Sequence, residues 1–144
     1  VQASAFDWGS ILDDAAARVA DSNKSRLRIH QPDVPQEVNG DRALWVLSAS
    51  NLIENALKYS EGPIEAVAEV QEGEAILEVK DEGNGIPAVD RETAKAPFVR
   101  LKEEGSGTGL GLHLVSQTAL LHGAQMDMLQ LDPKGFAVRL VWPQ

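Results

Sequence analysis

Asn51, Asn55 and Lys58 recur at spacings of four and three residues. On a helix that spacing gathers them within about 60° of one another, with Ser48 alongside. Amide oxygens beside an ammonium suit a hydrated magnesium ion and the phosphate it accompanies. Asparagine is a poor helix former, so two of them one turn apart cost propensity without an obvious structural return. The competing explanation is a solvated polar face.

A second group is Asp81, Gly83 and Gly85. In a strand from Ala75 to Asp81 the pleat sets Ala75, Leu77, Val79 and Asp81 on one side, with Glu78 and Lys80 on the other. Asp81 therefore points the way the core points, and a carboxylate there costs several kcal/mol unless donors are aimed at it. Gly83 and Gly85 let the backbone turn and approach a ligand closely. The alternative is a tight turn in which the Asp caps its own backbone.

The third group, Gly105-Ser106-Gly107-Thr108-Gly109-Leu110-Gly111-Leu112, alternates glycine with other residues on its way into a helix. Such an entry frees backbone amides to face an anion, and the helix dipole favours phosphate. No Gly-Lys-Ser or Gly-Lys-Thr follows, so it is not the usual P-loop. Leu110 stands where a dinucleotide fingerprint needs its third glycine. Residues 83–88 fit the relaxed form of that fingerprint, but an irregular stretch follows rather than a crossover helix and strand. Between the glycine loops lie Phe98 and Arg100, with Lys95 and Lys102 nearby. That is the composition of a lid over a nucleotide, or of a solvated loop.

These groups need elements to hold them. Asp7 reads as the N-cap of a first helix whose apolar positions are Trp8, Ile11, Leu12, Ala15 and Val19. Residues 26–30 alternate like a strand, and Val38 adds a short edge strand before Gly40. Asp41 caps a second helix running to about Tyr59, with Trp45, Val46, Ala49, Leu52, Ile53, Ala56 and Leu57 facing the core. Residues 64–70 and 75–82 form a hairpin around Glu72, Gly73 and Glu74. A third helix spans about Thr108 to His122 with Gly123 as its stop, and a last hairpin pairs residues 125–131 with 136–142. Helices separated by hairpins, rather than strict strand and helix alternation, predict a mixed sheet with helices on one face.

The 144 residues, 43% hydrophobic and 24% charged, suit one globular domain. The net charge of −9 removes the nonspecific phosphate attraction of a nucleic-acid binder. Residues 61–92 alone carry −8, ten acids against Lys80 and Arg91. With no cysteine, disulfides, thiolate nucleophiles and cysteine-based zinc sites are ruled out together. No apolar run approaches the roughly 20 residues of a membrane span. A start on Val1 rather than Met is expected of a piece of something longer.

Taken in order, Asn51-Leu-Ile-Glu-Asn55-Ala-Leu-Lys58-Tyr59, Asp81-Glu-Gly83-Asn-Gly85-Ile86-Pro87, Phe98-Val-Arg100 and the run from Gly105 to Leu112 resemble the four boxes of sensor histidine kinases. The resemblance is to their catalytic and ATP-binding domain, of the superfamily that groups gyrase, chaperone, histidine kinase and mismatch-repair ATPases (GHKL). It covers nearly the whole chain.

The resemblance implies a Bergerat ATP-binding fold: an α/β two-layer sandwich, with a mixed, largely antiparallel sheet packed under three helices. It implies a single domain over residues 1–144 with a nucleotide lid at about 88–106, the sensor and phosphoacceptor domains being absent from the chain. The implied ligands are ATP and Mg2+. Asn55 would coordinate the metal, with Asn51 and Lys58 near metal and phosphates. Tyr59 would pack by the base, and Asp81 would accept from the exocyclic amine of adenine, with Gly83, Gly85 and Ile86 beside it. Gly105, Gly107, Thr108, Gly109, Leu110 and Gly111 would cradle the phosphates, and Phe98 and Arg100 would belong to the lid. Asn51, Lys58 and Arg100 are the residues assigned to the transfer itself. The final hairpin has Gly135-Phe136 where the family often has Gly-Thr, a departure read as harmless.

The implied partners are the protein's own dimerisation and histidine phosphoacceptor domain and a response regulator receiver domain. The parent is expected to be a homodimer and the fragment alone a monomer, cytoplasmic, from what could be an inner-membrane sensor. None of His30, His113 and His122 has the acceptor's sequence context, in which an acidic residue and soon Arg, Thr and Pro follow. Two other functions share the fold: an ATP-hydrolysing clamp, which places a glutamate where Asn51 stands, and a serine kinase that restrains a sigma factor.

Overall fold

The computed structural model describes residues 2–85, 88–91, 95 and 111–144. Strand β1 (Ser4–Asp7) leads into helix α1 (Ser10–Ala17), the one-turn helix α2 (Asp21–Lys24) and strands β2 (Leu27–His30) and β3 (Glu37–Gly40). Helix α3 (Arg42–Tyr59) is followed by the hairpin of β4 (Ile64–Gln71) and β5 (Glu74–Asp81), then by a 3-10 turn at Ala88–Asp90. Helix α4 (Gly111–His122) and the hairpin of β6 (Gln125–Gln130) and β7 (Phe136–Pro143) complete the described chain.

The main sheet runs β2-β4-β5-β7-β6, so β5 is its middle strand. Among the described strands of this sheet only β2 and β4 pair in parallel; the other pairs are antiparallel. Helices α1, α3 and α4 lie over one face, covering Ile64, Ala66 and Ala68 of β4 and Ala75, Leu77 and Val79 of β5, all buried. The other face carries charge. Glu78 sits between Arg139 at 2.7 Å and Lys80 at 3.7 Å, and Lys80 also meets Glu65 at 3.5 Å. The two-layer mixed sandwich expected from the sequence is therefore the observed fold.

The N-terminal stretch differs from expectation. Asp7 ends a strand that pairs with β3 in a separate two-stranded sheet, and α1 starts after Gly9 with no side-chain cap. The Asp7 carboxylate is already engaged, accepting from the Gln36 backbone N–H at 3.0 Å. Cross-strand pairing took the residue that local propensity would have used as a cap. Trp8 is fully buried, donating from its indole to the Ile76 carbonyl at 3.1 Å.

Helix α3 does begin at Asp41, whose carboxylate accepts from the Leu44 N–H at 3.2 Å and from the Gln2 N–H at 3.0 Å. Behind this cap stands an aromatic cluster. Trp8 meets Trp45 and Trp142 edge-on, Trp45 stacks on Trp142 at 5.1 Å, and His122 closes the group 4.9 Å from Trp142. His122 accepts at Nε2 from the Asp41 N–H at 3.0 Å, with Nδ1 2.8 Å from the Thr118 carbonyl, so the end of α4 is fastened to the start of α3. A Cβ on Gly40 would stand 2.5 Å from the Trp142 ring and 2.9 Å from His122.

The Gln2 amide, and after it the Leu44 amide, hold the Asp41 carboxyl below its usual 3.8 against the opposing pull of burial. A depressed carboxyl pKa contributes stability that is present above 3.8 and lost as pH falls through the folded-state value. Asp41→Ala is expected to cost about 1 kcal/mol near neutral pH, the usual worth of an N-cap. Chemical denaturation of both chains across pH should show the gap closing on acidification below the normal carboxylate range.

Candidate functional site

The middle strand delivers Asp81 to the end of the sheet, on the side facing the helices. Its half-buried carboxylate accepts at Oδ1 from the Gly83 N–H at 2.7 Å, and among the described residues Oδ2 accepts no hydrogen bond. Burial pushes its pKa above 3.8, and the Gly83 bond offsets this only in part. Asp81 caps its own turn with one oxygen, as the alternative reading has it, and among the described residues the other oxygen is left without a donor.

The turn after Asp81 is close to its neighbours. A Cβ on Gly83 would lie 2.9 Å from Ser60 Cβ and 3.0 Å from the Tyr59 carbonyl, so the turn closes directly on the end of α3. Gly85 takes φ +72, and a side chain there would overlap the Phe136 ring. Phe136 is buried and pairs directly with Asp81 across the β5–β7 ladder, which puts an apolar ring on the same face as the carboxylate. The guanidinium of Arg91 lies 5.6 Å from the centre of that ring, and its Nη1 donates to the Met128 carbonyl at 3.3 Å. Phe136, the departure from the family's Gly-Thr, thus forms an apolar wall beside Asp81.

Helix α3 supplies the second wall. Its stripe is solvated only toward the end: Ser48 is fully buried, Asn51 and Asn55 are half-buried, and Lys58 is exposed. Gly111 of α4 lies against Asn55, where a Cβ would come within 3.4 Å of the amide nitrogen and 3.5 Å of the amide oxygen. With His122 bonded to Asp41, this contact fixes α3 and α4 as antiparallel neighbours. Asn51 Nδ2 and Ser48 Oγ are buried with no hydrogen-bond partner among the described residues. A buried amide without a partner costs about 1–3 kcal/mol, so a ligand that supplies one would recover it. Lys58 and Tyr59, both exposed, end the helix, with the ammonium 5.9 Å from the tyrosine ring centre.

Asn51, Asn55, Lys58, Tyr59, Asp81, Gly83, Gly85 and Gly111 are therefore placed on three elements, the end of α3, the end of β5 with its turn, and α4. Ile86, Phe98, Arg100, Gly105, Gly107, Thr108, Gly109 and Leu110 lie outside the described residues. Among the described residues there is no cluster of three His, Asp or Glu side chains able to hold a metal ion. No described helix is long and apolar enough to cross a membrane.

A family model described as histidine kinase-, DNA gyrase B- and HSP90-like ATPase matches residues 40–144. Sensor histidine kinase CpxA of Escherichia coli K12 is 32% identical over 139 residues, covering 94% of this chain and 30% of that protein. The chain thus spans less than a third of the length of the curated relatives it matches. The structure of the mycobacterial sensor histidine kinase MprB superposes with a TM-score of 0.80 at 28% identity, covering 99% of this chain and 97% of that one. The catalytic domain of histidine kinase ThkA superposes with a TM-score of 0.85 at 19% identity over 99% and 96% of the two chains, which speaks for the fold.

The raised pKa of Asp81 yields a stability test. Because the folded state holds the proton more tightly than the unfolded chain, the ionised carboxylate costs stability above the folded pKa, and the cost disappears below 3.8. Asparagine keeps an acceptor for the Gly83 amide and carries no charge. Asp81→Asn is expected to melt at or above the unsubstituted chain at neutral pH, with the advantage vanishing in acid, as thermal melts across pH would read.

Proposed function

The chain belongs to the histidine kinase-, DNA gyrase B- and HSP90-like ATPase family as a sensor histidine kinase catalytic domain, and we propose that it binds MgATP and presents the γ-phosphate to a histidine on a separate helical domain of the same kinase. The observation that carries this reading is the inward carboxylate of Asp81 with one unbonded oxygen at the end of the middle strand. An adenine amino group is the donor that such an oxygen calls for. Guanine presents a carbonyl at that place and would meet it with repulsion.

The residues around Asp81 divide the remaining work. Phe136 and the Gly83–Gly85 backbone exclude water from the base, and Tyr59 lies at the end of α3 beside the same turn. Asn55, against Gly111, stands where a glycine-rich helix entry would hold the phosphates, so its amide oxygen fits a magnesium ligand. The partnerless Asn51 amide supports the same placement, since it is a donor in want of an oxygen. Lys58 adds a positive charge one turn further on. When bound, magnesium would neutralise phosphate charge; the chain's own part is to orient the nucleotide and exclude water. Phe98, Arg100 and the glycines from Gly105 complete the proposed site as lid and cradle.

The chain holds the nucleotide half of the reaction and not the nucleophile. Both ring nitrogens of His122 are engaged by backbone groups, and His113 Nδ1 lies 3.2 Å from the Lys95 carbonyl. His30 closes β2, an edge strand that β4 separates from β5. The partners proposed are the kinase's dimerisation and phosphoacceptor domain and, downstream, a receiver domain. An ATP-hydrolysing clamp would need a base at the place of Asn51, and an amide cannot take that proton.

Calorimetry on this chain should show ATP binding that depends on magnesium, with GTP rejected. Asp81→Asn should weaken ATP binding roughly ten- to a hundredfold, the worth of a hydrogen bond to a charged group. With radiolabelled ATP the chain alone should remain unlabelled and should label an added acceptor helix. Label on His30, His113 or His122, or steady hydrolysis abolished by Asn51→Ala, would contradict the assignment.

A further inference from the structure

Arg26, which precedes β2, makes contacts that the site described so far does not use. Its Nε donates to the Gly62 carbonyl at 2.8 Å, Nη1 to Leu57 at 3.2 Å and Nη2 to Ser60 at 2.9 Å. Its own carbonyl accepts from the Ile64 N–H at 2.8 Å. Among the described residues no carboxylate pairs with it. Arg26 thus spans the whole connection, its side chain from the last turn of α3 to Gly62 and its carbonyl to the first residue of β4.

The last carbonyls of a helix lack partners and attract cations. A glycine in left-handed conformation commonly satisfies them. Helix α3 instead ends on Ser60 in extended conformation, φ −142 and ψ 169, and the planar fork of a guanidinium serves three carbonyls that no single backbone turn could reach. This connection is also the surface on which the Asp81 turn closes. Ser60 Cβ and the Tyr59 carbonyl crowd Gly83, and a Cβ on Gly62, at φ +94, would lie 3.5 Å from the Glu82 carboxylate. Whatever fixes residues 57–62 therefore fixes the distance between the end of α3 and Asp81.

We infer that Arg26 is a positioning residue of the nucleotide site: by tying Leu57, Ser60 and Gly62 together it holds Tyr59 and the floor beneath Gly83 at the spacing that lets Asp81 meet a base. The inference rests on the nucleotide reading given above. It assigns Arg26 no contact with the ligand. It makes base selection, rather than phosphate binding, the property that depends on this side chain.

The test compares the unsubstituted chain with Arg26→Met, which keeps the apolar stem, and Arg26→Lys, which keeps the charge but not the fork. Each is melted thermally, titrated with MgATP and MgGTP well below its melting temperature, and followed for hydrogen exchange at the Gly83 amide without nucleotide. Arg26→Met is expected to bind ATP about tenfold more weakly, narrow the preference for ATP over GTP and speed Gly83 exchange, with Arg26→Lys intermediate. Should Arg26→Met fail to fold, Arg26→Lys carries the comparison. A lowered melting temperature with unchanged ATP affinity, base preference and Gly83 exchange in the folded protein would overturn the inference and leave Arg26 a helix cap alone. If the unsubstituted chain binds no ATP, the nucleotide reading itself falls and this inference with it.

Discussion

A carboxylate turned inward at the end of the middle strand cannot be left bare, and it cannot be fully satisfied by the protein if it is to recognise anything. Asp81 meets both demands. One oxygen is held by the Gly83 amide, which fixes its direction, and among the described residues the other accepts no hydrogen bond. Burial beside Phe136 raises the energy of the charge, and the fold must carry that cost in the absence of a ligand.

Helix α3, about 27 Å long at 1.5 Å per residue, runs from the aromatic cluster to the site. At its start, Asp41 and His122 tie α3 to α4 among Trp8, Trp45 and Trp142. At its end, glycine lets the backbone come close: Gly83 against Ser60 and Gly85 against Phe136. A closely packed glycine and an unpartnered polar group occur at both ends among the described residues: Gly40 against Trp142 and the unpartnered Trp45 indole at the start of the helix, Gly83 against Ser60 and the unpartnered Asn51 amide toward Asp81.

Features set by local sequence were legible in the chain itself. The Asp41 cap, the amphipathic α3, the two hairpins and the inward direction of Asp81 all follow from spacing within about ten residues, and all are observed. Asp7 was misread because its partner, Gln36, is remote in sequence and its pairing with β3 outweighed its capping propensity. The one-turn helix α2 has no buried residue and left no periodic trace. Arg26 gave no signal, since an arginine beside a strand looks like surface until the chain from Leu57 to Gly62 folds back upon it. Phe136 was noticed as a departure, yet its meaning depends on a register with Asp81 that only the assembled sheet supplies. Ile86, Phe98, Arg100 and most of the glycine run rest on the sequence resemblance, being outside the described residues.

The most direct measurement is a carbon-13 NMR titration of the Asp81 side-chain carboxyl, with and without nucleotide. In the free chain the group should titrate above the ordinary 3.8, and saturating ATP should pull its pKa down while GTP leaves it in place. A titration that ignores ATP, or that responds equally to both nucleotides, would contradict a carboxylate that reads an adenine amino group.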